Sequence, residues 1–433
     1  MNDLERAYNE LKRKTTEYAK LWRYYEGDQP LVYSAQRLKT VFHNLDARFV
    51  ENWCAVVVDA VADRVNLTGF SVANNDEATE QLNHAFARTE LGLDSDDAHL
   101  ASLVCGEAFV IAWPNEDGQT AAFYNDPRQC MIHYDPDNPR APLFAAKWWR
   151  TDDERYRMTL YYPDHLEYYE TQSADLSVMD HTAFQPMESD RASNPFGAVP
   201  MFHLRRSRRA VASELANALP LQDAVNKLLS DMMVAAEYGA FRQRYIISNA
   251  DLGSLKNAPN EIWMLPSNDG EGEPTKVGEF EQTDLSMYLS AIDKLAGAMA
   301  IITRTPKHYL FQQTGDPSGE ALIAMEAPLV RKTGRYLERF TATWRRIGAF
   351  LLQLEGVTVA PEDITPQFDE VQTVNPHMAA QTAVLKGQVG VSKQQLQREM
   401  GYSKEQIEVM QNEIALTSAT MGEQLLTAFD QGV

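Results

Sequence analysis

Two apolar stripes at helical spacing stand on either side of a stretch too polar and too short to fold alone. No other feature constrains the architecture as much. The first stripe carries Leu215, Leu221, Val225, Leu228, Leu229, Met232 and Met233; the second carries Leu285, Leu289, Ile292, Leu295, Met299 and Ile302. They predict helices over about 214–241 and 283–303, the first spanning ~30 Å from Leu221 to Phe241 at 1.5 Å per residue. Between them, residues 242–282 hold two strand candidates, Tyr245-Ile246-Ile247 and Ile262-Trp263-Met264-Leu265, among Asp251, Asp269, Glu271, Glu273, Glu279 and Glu281. About 40 residues bury too little surface to stand alone, so this insert calls for identical neighbours. Two adjacent helices that exclude a small acidic unit suit a ring-forming part and do not resemble a catalytic pocket.

At 433 residues the chain has room for two or three packed units. No run of about 18 apolar residues exists, and the opening Met1-Asn2-Asp3-Leu4-Glu5 is charged, so neither a membrane span nor a signal segment is expected. Cys54, Cys105 and Cys130 are odd in number and embedded in apolar segments, and read as buried thiols of a protein made in a reducing cytosol. The 61 acidic and 40 basic residues give a formal charge of −21. That charge argues against gripping nucleic acid over most of the surface, since phosphates need cations. An acidic wall would let DNA slide without sticking, but for a lone acidic protein solubility alone is the preferred account of the charge.

The first half reads as helices followed by an antiparallel sheet. Leu4, Tyr8, Leu11, Tyr18, Leu21, Trp22 and Tyr25 predict a helix that stops at Gly27. A second helix is predicted from about Asp46, with Phe49, Val50, Trp53, Val57, Val61 and Val65 on one side and an end near Gly69. Helical stretches at 78–91 and 96–105 follow. Short aromatic or β-branched runs at 109–113, 121–124, 130–134, 145–150, 158–162 and 166–169, separated by turn signals, predict a meander. Residues 173–197 are polar and carry proline, and read as a loop. The Arg205-Arg206-Ser207-Arg208-Arg209 cluster reads as a solvated or subunit-pairing charge run, with a nucleic-acid patch as the alternative.

Chemistry-bearing motifs are wanting. No G-x-x-x-x-G-K-[ST] loop is present, and Gly270-Glu271-Gly272 lacks both the third glycine and the helix start of a dinucleotide site. The nine histidines are scattered and no paired Cys-x-x-Cys occurs, so no catalytic group, metal or cofactor is expected. Asp135-Pro136-Asp137-Asn138 reads as a turn; a metal-dependent nuclease using Asp135 and Asp137 is the enzymatic rival. The tail segment 391–403 superficially suggests a helix-turn-helix, but Glu405, Glu408 and Glu413 would repel phosphate.

A third long helix is predicted over about 319–355, capped by Ser318 and kinked at Pro328, which removes a backbone donor. On it Arg331, Arg335 and Arg339 fall at i, i+4 and i+8 and share one face. Two readings stand: pairing with acidic residues of an adjacent subunit, or a basic ring touching DNA. The preceding loop, Phe311, Gln312, Gln313, Thr314, Gly315 and Asp316, has no net positive charge. Its glutamines could bond phosphates transiently, and Gly315 supplies backbone freedom. The region 361–433 reads as helical and polar, with capping-box starts at Ser392 and Ser403.

Several words, in this order and spacing, resemble the portal proteins of tailed bacteriophages, in particular the Gram-positive-phage, SPP1-like group. They are Tyr24-Tyr25-Glu26-Gly27 with Asn44 and Asn52, the segment 219–227 leading to Ala235-Ala236-Glu237, and Ile262-Trp263-Met264-Leu265-Pro266. Thr305-Pro306-Lys307-His308-Tyr309-Leu310 and Pro317-Ser318-Gly319-Glu320-Ala321-Leu322 complete them.

The resemblance implies an α+β portal fold in a ring of twelve at one vertex of an icosahedral head. Residues 1–210 would be the wing, 211–241 and 283–303 the stem, 242–282 the clip, 304–318 the tunnel loop, 319–360 the kinked helix and 361–433 the crown. The clip, with Trp263, Asp269, Glu271 and Glu273, would meet the large terminase subunit and the head-tail adaptor. The major capsid protein and a scaffolding protein are further implied partners, and double-stranded DNA would pass without sequence preference. The protein would be made in the bacterial cytoplasm, reside in the virion and catalyse nothing, since the terminase is the motor. The structural rival is a capsid-interior assembly protein without a pore.

Overall fold

The computed structural model describes residues 2–30, 50–115, 117–172, 180–207, 210–240, 244–247, 276–279, 284–311, 318–371, 376–399, 402, 406–407 and 409–411. The chain divides into two compact units, Met1–Val371 and Gln372–Val433.

Helix α1 (Asp3–Tyr25) starts where the Asn2 side chain accepts from the Glu5 amide at 2.7 Å, and Asp3 and Glu5 sit favourably at its positive end. It stops before Gly27, whose φ of +73° suits glycine. The predicted second helix ends earlier than expected, and its predicted start at 46–49 lies outside the described residues. Among the described residues helix α2 covers Trp53–Ala62, and Gly69 lies inside strand β1 (Leu67–Val72) instead of at a helix end. A Cβ at Gly69 would meet the Asn83 Oδ1 at 2.9 Å, so the glycine reflects a close approach. Helices α3 (Asp76–Arg88) and α4 (Leu91–Val104) follow.

The six predicted strand runs all form strands, but in two sheets. β2 (Glu107–Pro114) and β3 (Thr120–Asn125) form a three-stranded sheet with β9 (Met201–Arg205), ordered β3-β2-β9. β4 (Cys130–Tyr134), β5 (Pro142–Arg150), β6 (Tyr156–Tyr161), β7 (His165–Thr171) and β8 (Phe184–Ser193) form a five-stranded antiparallel meander. β8 corrects the loop expected over 173–197. It is an edge strand, where a proline costs no ladder bond, and Pro186 pairs in register with Tyr169 beside an irregularity in β7. Alternation along β5 serves both faces. Phe144, Ala146 and Trp148 pack with Tyr8 and Leu11 of α1, whereas Ala145 joins Phe109, Ile111 and Met201 between the sheets.

The first central helix begins later than expected. Glu214–Asn217 is a 3-10 turn whose Ser213 hydroxyl accepts from the Leu215 amide at 3.0 Å, and α5 runs Leu219–Ala240. Pro220 falls in the first turn, where its missing N–H costs nothing. Strands β10 (Arg244–Ile247) and β11 (Lys276–Glu279) form an antiparallel ribbon before α6 (Ser286–Thr303), which packs on α5. Tyr245-Ile246-Ile247 is thus a strand, while the candidate at 262–265 lies outside the described residues.

The short helix α7 (Lys307–Leu310) precedes α8 (Gly319–Leu354), 36 residues capped by Ser318, which accepts from the Ala321 amide at 3.3 Å. Pro328 divides α8 by environment. All its buried residues, from Leu329 to Leu352, lie C-terminal to the proline; none lies before it. Trp344, Phe340 and Ile347 anchor that half in the main core with Val57, Val61, Leu82 and Leu103. The helical reading of the region from Pro361 is corrected at its start, which is a 3-10 turn (Pro361–Asp363) followed by a strand. β12 (Ile364–Phe368) returns to pair antiparallel with β1, so the first unit runs to Val371. The second unit contains α9 (Pro376–Gln388) and α10 (Lys393–Glu399), with Ser392 accepting from the Gln395 amide at 3.3 Å. The Ser403 capping box lies outside the described residues.

Candidate functional site

The roots of the central helices are held by buried polar side chains that apolar periodicity does not reveal. Gln222 and Asn226, on the inner face of α5, are both buried. Gln222 Oε1 accepts from the Trp53 amide at 2.8 Å and the Cys54 amide at 3.1 Å, and its Nε2 donates to the Glu51 carbonyl. Asn226 Oδ1 accepts from the Glu51 amide at 3.0 Å. One helix therefore caps the start of another, since the Trp53 and Cys54 amides are among the four that α2 cannot satisfy itself. Tyr24 donates to the Asp223 carboxylate at 2.9 Å, Tyr25 to Asp59 at 2.9 Å, and Asn52 Nδ2 to the Tyr25 carbonyl at 2.7 Å. The opening word and the 219–227 word, about 200 positions apart in sequence, are two halves of one joint.

A second joint forms around Glu214. Its Oε1 accepts from Lys332 at 3.0 Å, and its Oε2 accepts from Arg206 at 2.8 Å and from the Tyr336 hydroxyl at 2.6 Å. Lys332 also donates to the Thr303 carbonyl at 2.6 Å, placing a cation at the negative end of α6. Burial pushes the Lys332 ammonium down from its ordinary range against the pull of Glu214, and pushes the Tyr336 hydroxyl up. The 3-10 turn, α6 and α8 are thereby tied at one point.

The loop between α7 and α8 is anchored on both sides. Tyr309 donates to Glu326 Oε1 at 2.9 Å, Arg64 donates to the Tyr309 hydroxyl at 3.0 Å, and Arg64 lies 3.6 Å from Glu326 Oε2. Lys307 pairs with Asp293 of α6 at 2.6 Å. Phe311 packs against the main core at the loop's start. Gln312, Gln313, Thr314, Gly315 and Asp316 lie outside the described residues, as do Trp263, Asp269, Glu271 and Glu273.

The three arginines expected on one face of α8 differ in environment. Arg331 and Arg335 are exposed. Arg339 is half-buried, donates to the Arg206 carbonyl and lies over the Tyr336 ring at 5.9 Å from its centroid. The Arg205–Arg209 run likewise divides. Arg206 pairs with Glu214 and Arg205 lies over the Tyr134 ring at 5.0 Å, while Arg208 and Arg209 fall outside the described residues.

A further charged group missed in the sequence is Glu107, buried within β2. Lys14 lies 2.5 Å from its Oε1, which also accepts from Tyr18 at 2.6 Å, and His203 bonds Oε2 at 2.7 Å. Burial alone would raise this carboxyl, but Lys14 and His203 together hold it well below the usual range. The carboxylate only accepts, so His203 Nε2 carries the proton and Nδ1 accepts from the Tyr134 hydroxyl at 3.2 Å. Burial brings His203 down to about 4. His99 is locked similarly, donating to the Val65 carbonyl at 3.0 Å and accepting from the Trp344 indole at 2.9 Å; burial brings it to about 3. These groups are enclosed and fully partnered, which suits a structural role better than proton transfer to a substrate.

Cys54, Cys105 and Cys130 are buried free thiols, and burial pushes Cys54 and Cys130 up to about 12. Asp135 accepts from the Asp137 amide at 2.9 Å, the local bond of a turn. Among the described residues no three histidine, cysteine or carboxylate side chains gather in a way that could hold a metal, and no helix is long and apolar enough to cross a membrane.

Against known proteins, two curated relatives are portal proteins of mycobacteriophages. That of phage D29 is 24% identical over 382 residues, covering 80% of this chain and 75% of the relative. That of phage L5 is 24% identical over 386 residues, covering 82% and 76%. Among solved structures, a chain from the virion of a native gene transfer agent particle aligns with a TM-score of 0.48 at 13% identity over 86% of this chain and 95% of that one. The family model for phage portal proteins of the SPP1 Gp6-like type matches residues 4–418, nearly the whole sequence. The chain therefore belongs to the SPP1 Gp6-like family of phage portal proteins.

Proposed function

We propose that copies of this chain close into a ring, of twelve subunits in the family pattern, at one vertex of a phage capsid. Double-stranded DNA enters through it during packaging and leaves on infection. In this reading residues 1–210 are the wing, α5 and α6 the stem, 242–282 the clip, 304–318 the tunnel loop, α8 the long helix toward the channel, and the unit beginning at Gln372 the crown. The clip, including Trp263, Asp269, Glu271 and Glu273, receives the large terminase subunit and then the head-tail adaptor. The wing and crown face the capsid and any scaffolding protein. The role is that of a conduit, with no catalytic group, metal or cofactor.

The observation that carries the ring is the surface α6 leaves uncovered. Ile301 is 81% exposed, Met287 63% and Leu289 49%, although Ile292, Ala296 and Met299 of the same helix are buried. Met287 and Ile301 lie on a face of α6 away from its buried residues, Leu289 is uncovered near the helix start, and the ribbon separately exposes Ile247 and Val277; such apolar side chains call for a neighbour that removes them from water. Each such side chain gains about 1.5–3 kcal/mol on full burial. The charge of −21 supports a bore that repels the phosphate backbone and so lets it slide.

Electron microscopy of the purified protein tests the ring: closed rings with a central hole are expected, with a native mass that is a whole multiple of 48.9 kDa. A particle without a pore would favour the capsid-interior rival, and DNA cleavage with magnesium or manganese would favour the nuclease. Replacing Gln312 and Gln313 with alanine, or deleting the loop, should impair packaging while rings still form. Normal packaging by such rings would remove the loop from the mechanism.

A further inference from the structure

Two clefts adjoin at Arg339. The first, about 420 Å³, is lined by Arg140, Arg205, Arg339 and Arg346 with Tyr134 and Thr343. The described residues lining it include no carboxylate. The second, about 510 Å³, brings Arg304, Arg335 and Arg339 beside the Glu214 joint. Among the described residues Glu214 is its only acidic lining residue, and both its oxygens are already engaged by Lys332, Arg206 and Tyr336. Arg140, Arg205, Arg304, Arg335 and Arg339 make no ion pair among the described residues. In a chain with 61 acidic and 40 basic residues, this is a local surplus of the opposite sign.

We propose that these clefts are completed by carboxylates of a second copy of this chain. The guanidinium planes of Arg205 and Arg339 are held over tyrosine rings, so little side-chain entropy remains to be lost when an anion arrives, and their forked donors match a carboxylate. Phosphate has the same hydrogen-bonding chemistry, but the rest of the surface decides between them. Ile302, half exposed, lines the second cleft, next to the still more exposed Ile301. Arginine mixed with exposed aliphatic residues is the composition of a protein interface. A phosphodiester strand would leave those isoleucines in water. A neighbouring copy supplies both apolar surface and, from its net charge of −21, abundant carboxylates. A ring is a heterologous arrangement, so the acidic face that enters the clefts lies elsewhere on the neighbour and both faces are used by every subunit.

This inference rests on the ring reading, and its test separates the two. The double variant Arg140→Glu, Arg335→Glu alters two exposed side chains, so its protomer should unfold within ~2 °C of the wild type. Assembly of both proteins is followed by sedimentation and native mass across 50 to 500 mM sodium chloride. The variant should need at least about ten-fold more protein to assemble at low salt, and the Arg140→Gln, Arg335→Gln pair should fall between. Variant rings that form like wild-type rings overturn the inference and leave the ring standing. A wild type that never assembles overturns both. Loss of duplex-DNA retention in the variant with unchanged assembly would give the clefts to phosphate and likewise overturn it.

Discussion

The two ends of the central helix pair are built on opposite principles. At the root, α5 and α6 meet α2, the 3-10 turn at Glu214–Asn217 and α8 through Gln222, Asn226, Glu214 and Lys332, all buried and bonded to one another or to backbone. At the far end, the β10–β11 ribbon holds Ile247 60% exposed, and only Gly278 lets the Tyr245 ring lie across the strands, since a Cβ there would fall 2.3 Å from it. The interior of the root is tied within one protomer, while its outer surface around Ile302 and Arg304 stays open to a neighbour; the ribbon leaves apolar side chains of the strands themselves in water. A protein can be stable as a subunit and still depend on its neighbours for one end, and the position of the buried polar bonds marks the division.

Acid should break the stronger half first, and this is the largest effect expected. His99 and His203 sit in the main body at about 3 and about 4, below the ordinary histidine value of about 6.5. Their neutral forms stabilise the fold in full above the unfolded value. As pH falls below about 6.5 the unfolded chain binds protons that the folded one refuses, and stability is lost down to the folded values. Each histidine contributes a slope of ~1.4 kcal/mol per pH unit in that window. Denaturant titrations between pH 7 and pH 4 should show both slopes, and His203→Gln should remove one. A flat profile would show that neither histidine is enclosed as described.

Glu214→Ala comes next. It leaves Lys332 buried without its partner, at a cost of about 3–5 kcal/mol in denaturant unfolding; a loss below about 1 kcal/mol would mean that the joint does not hold the helices. Gln222→Leu strips the acceptor from the Trp53 and Cys54 amides and should cost about 1–3 kcal/mol. Smallest is Ile247→Thr with Val277→Thr. Protomer stability should move by less than about 0.5 kcal/mol per site, while ring formation, followed by native mass, weakens. If the ribbon pair destabilised the isolated protomer as much as Gln222→Leu, the contrast between the two ends would fail.

Much of the fold was legible because it rests on local pattern. Strands β2 to β7 are short β-branched and aromatic runs between turn residues, and Ser318 and Gly319 mark the start of α8 as caps do. What escaped depends on distance or on polarity. β1 and β12 pair across some 300 positions, and the 364–368 segment carries Pro366, so neither looked like a strand alone. β8 is polar because it lies at a sheet edge. Periodicity counts apolar residues and therefore assigned α5 its leucines, whereas the residues it buries include Gln222, Asn226 and Ser230. Glu107 and His203 are separated by 96 residues, and nothing in either neighbourhood announces the other. The resemblance words at 24–27 and 219–227 were visible as text, but that they form one joint was not.

Pro328 has a mechanical consequence. None of the nine residues of α8 before it is fully buried, and the ladder lacks a rung where the proline has no N–H, so bending stiffness is lowest there. The Tyr309–Glu326–Arg64 tie lies just on the free side of that weak point. A pull on the adjoining loop is therefore borne by two turns of helix and the arginine on the loop following α2, and reaches the packed half of α8 only through its most compliant link.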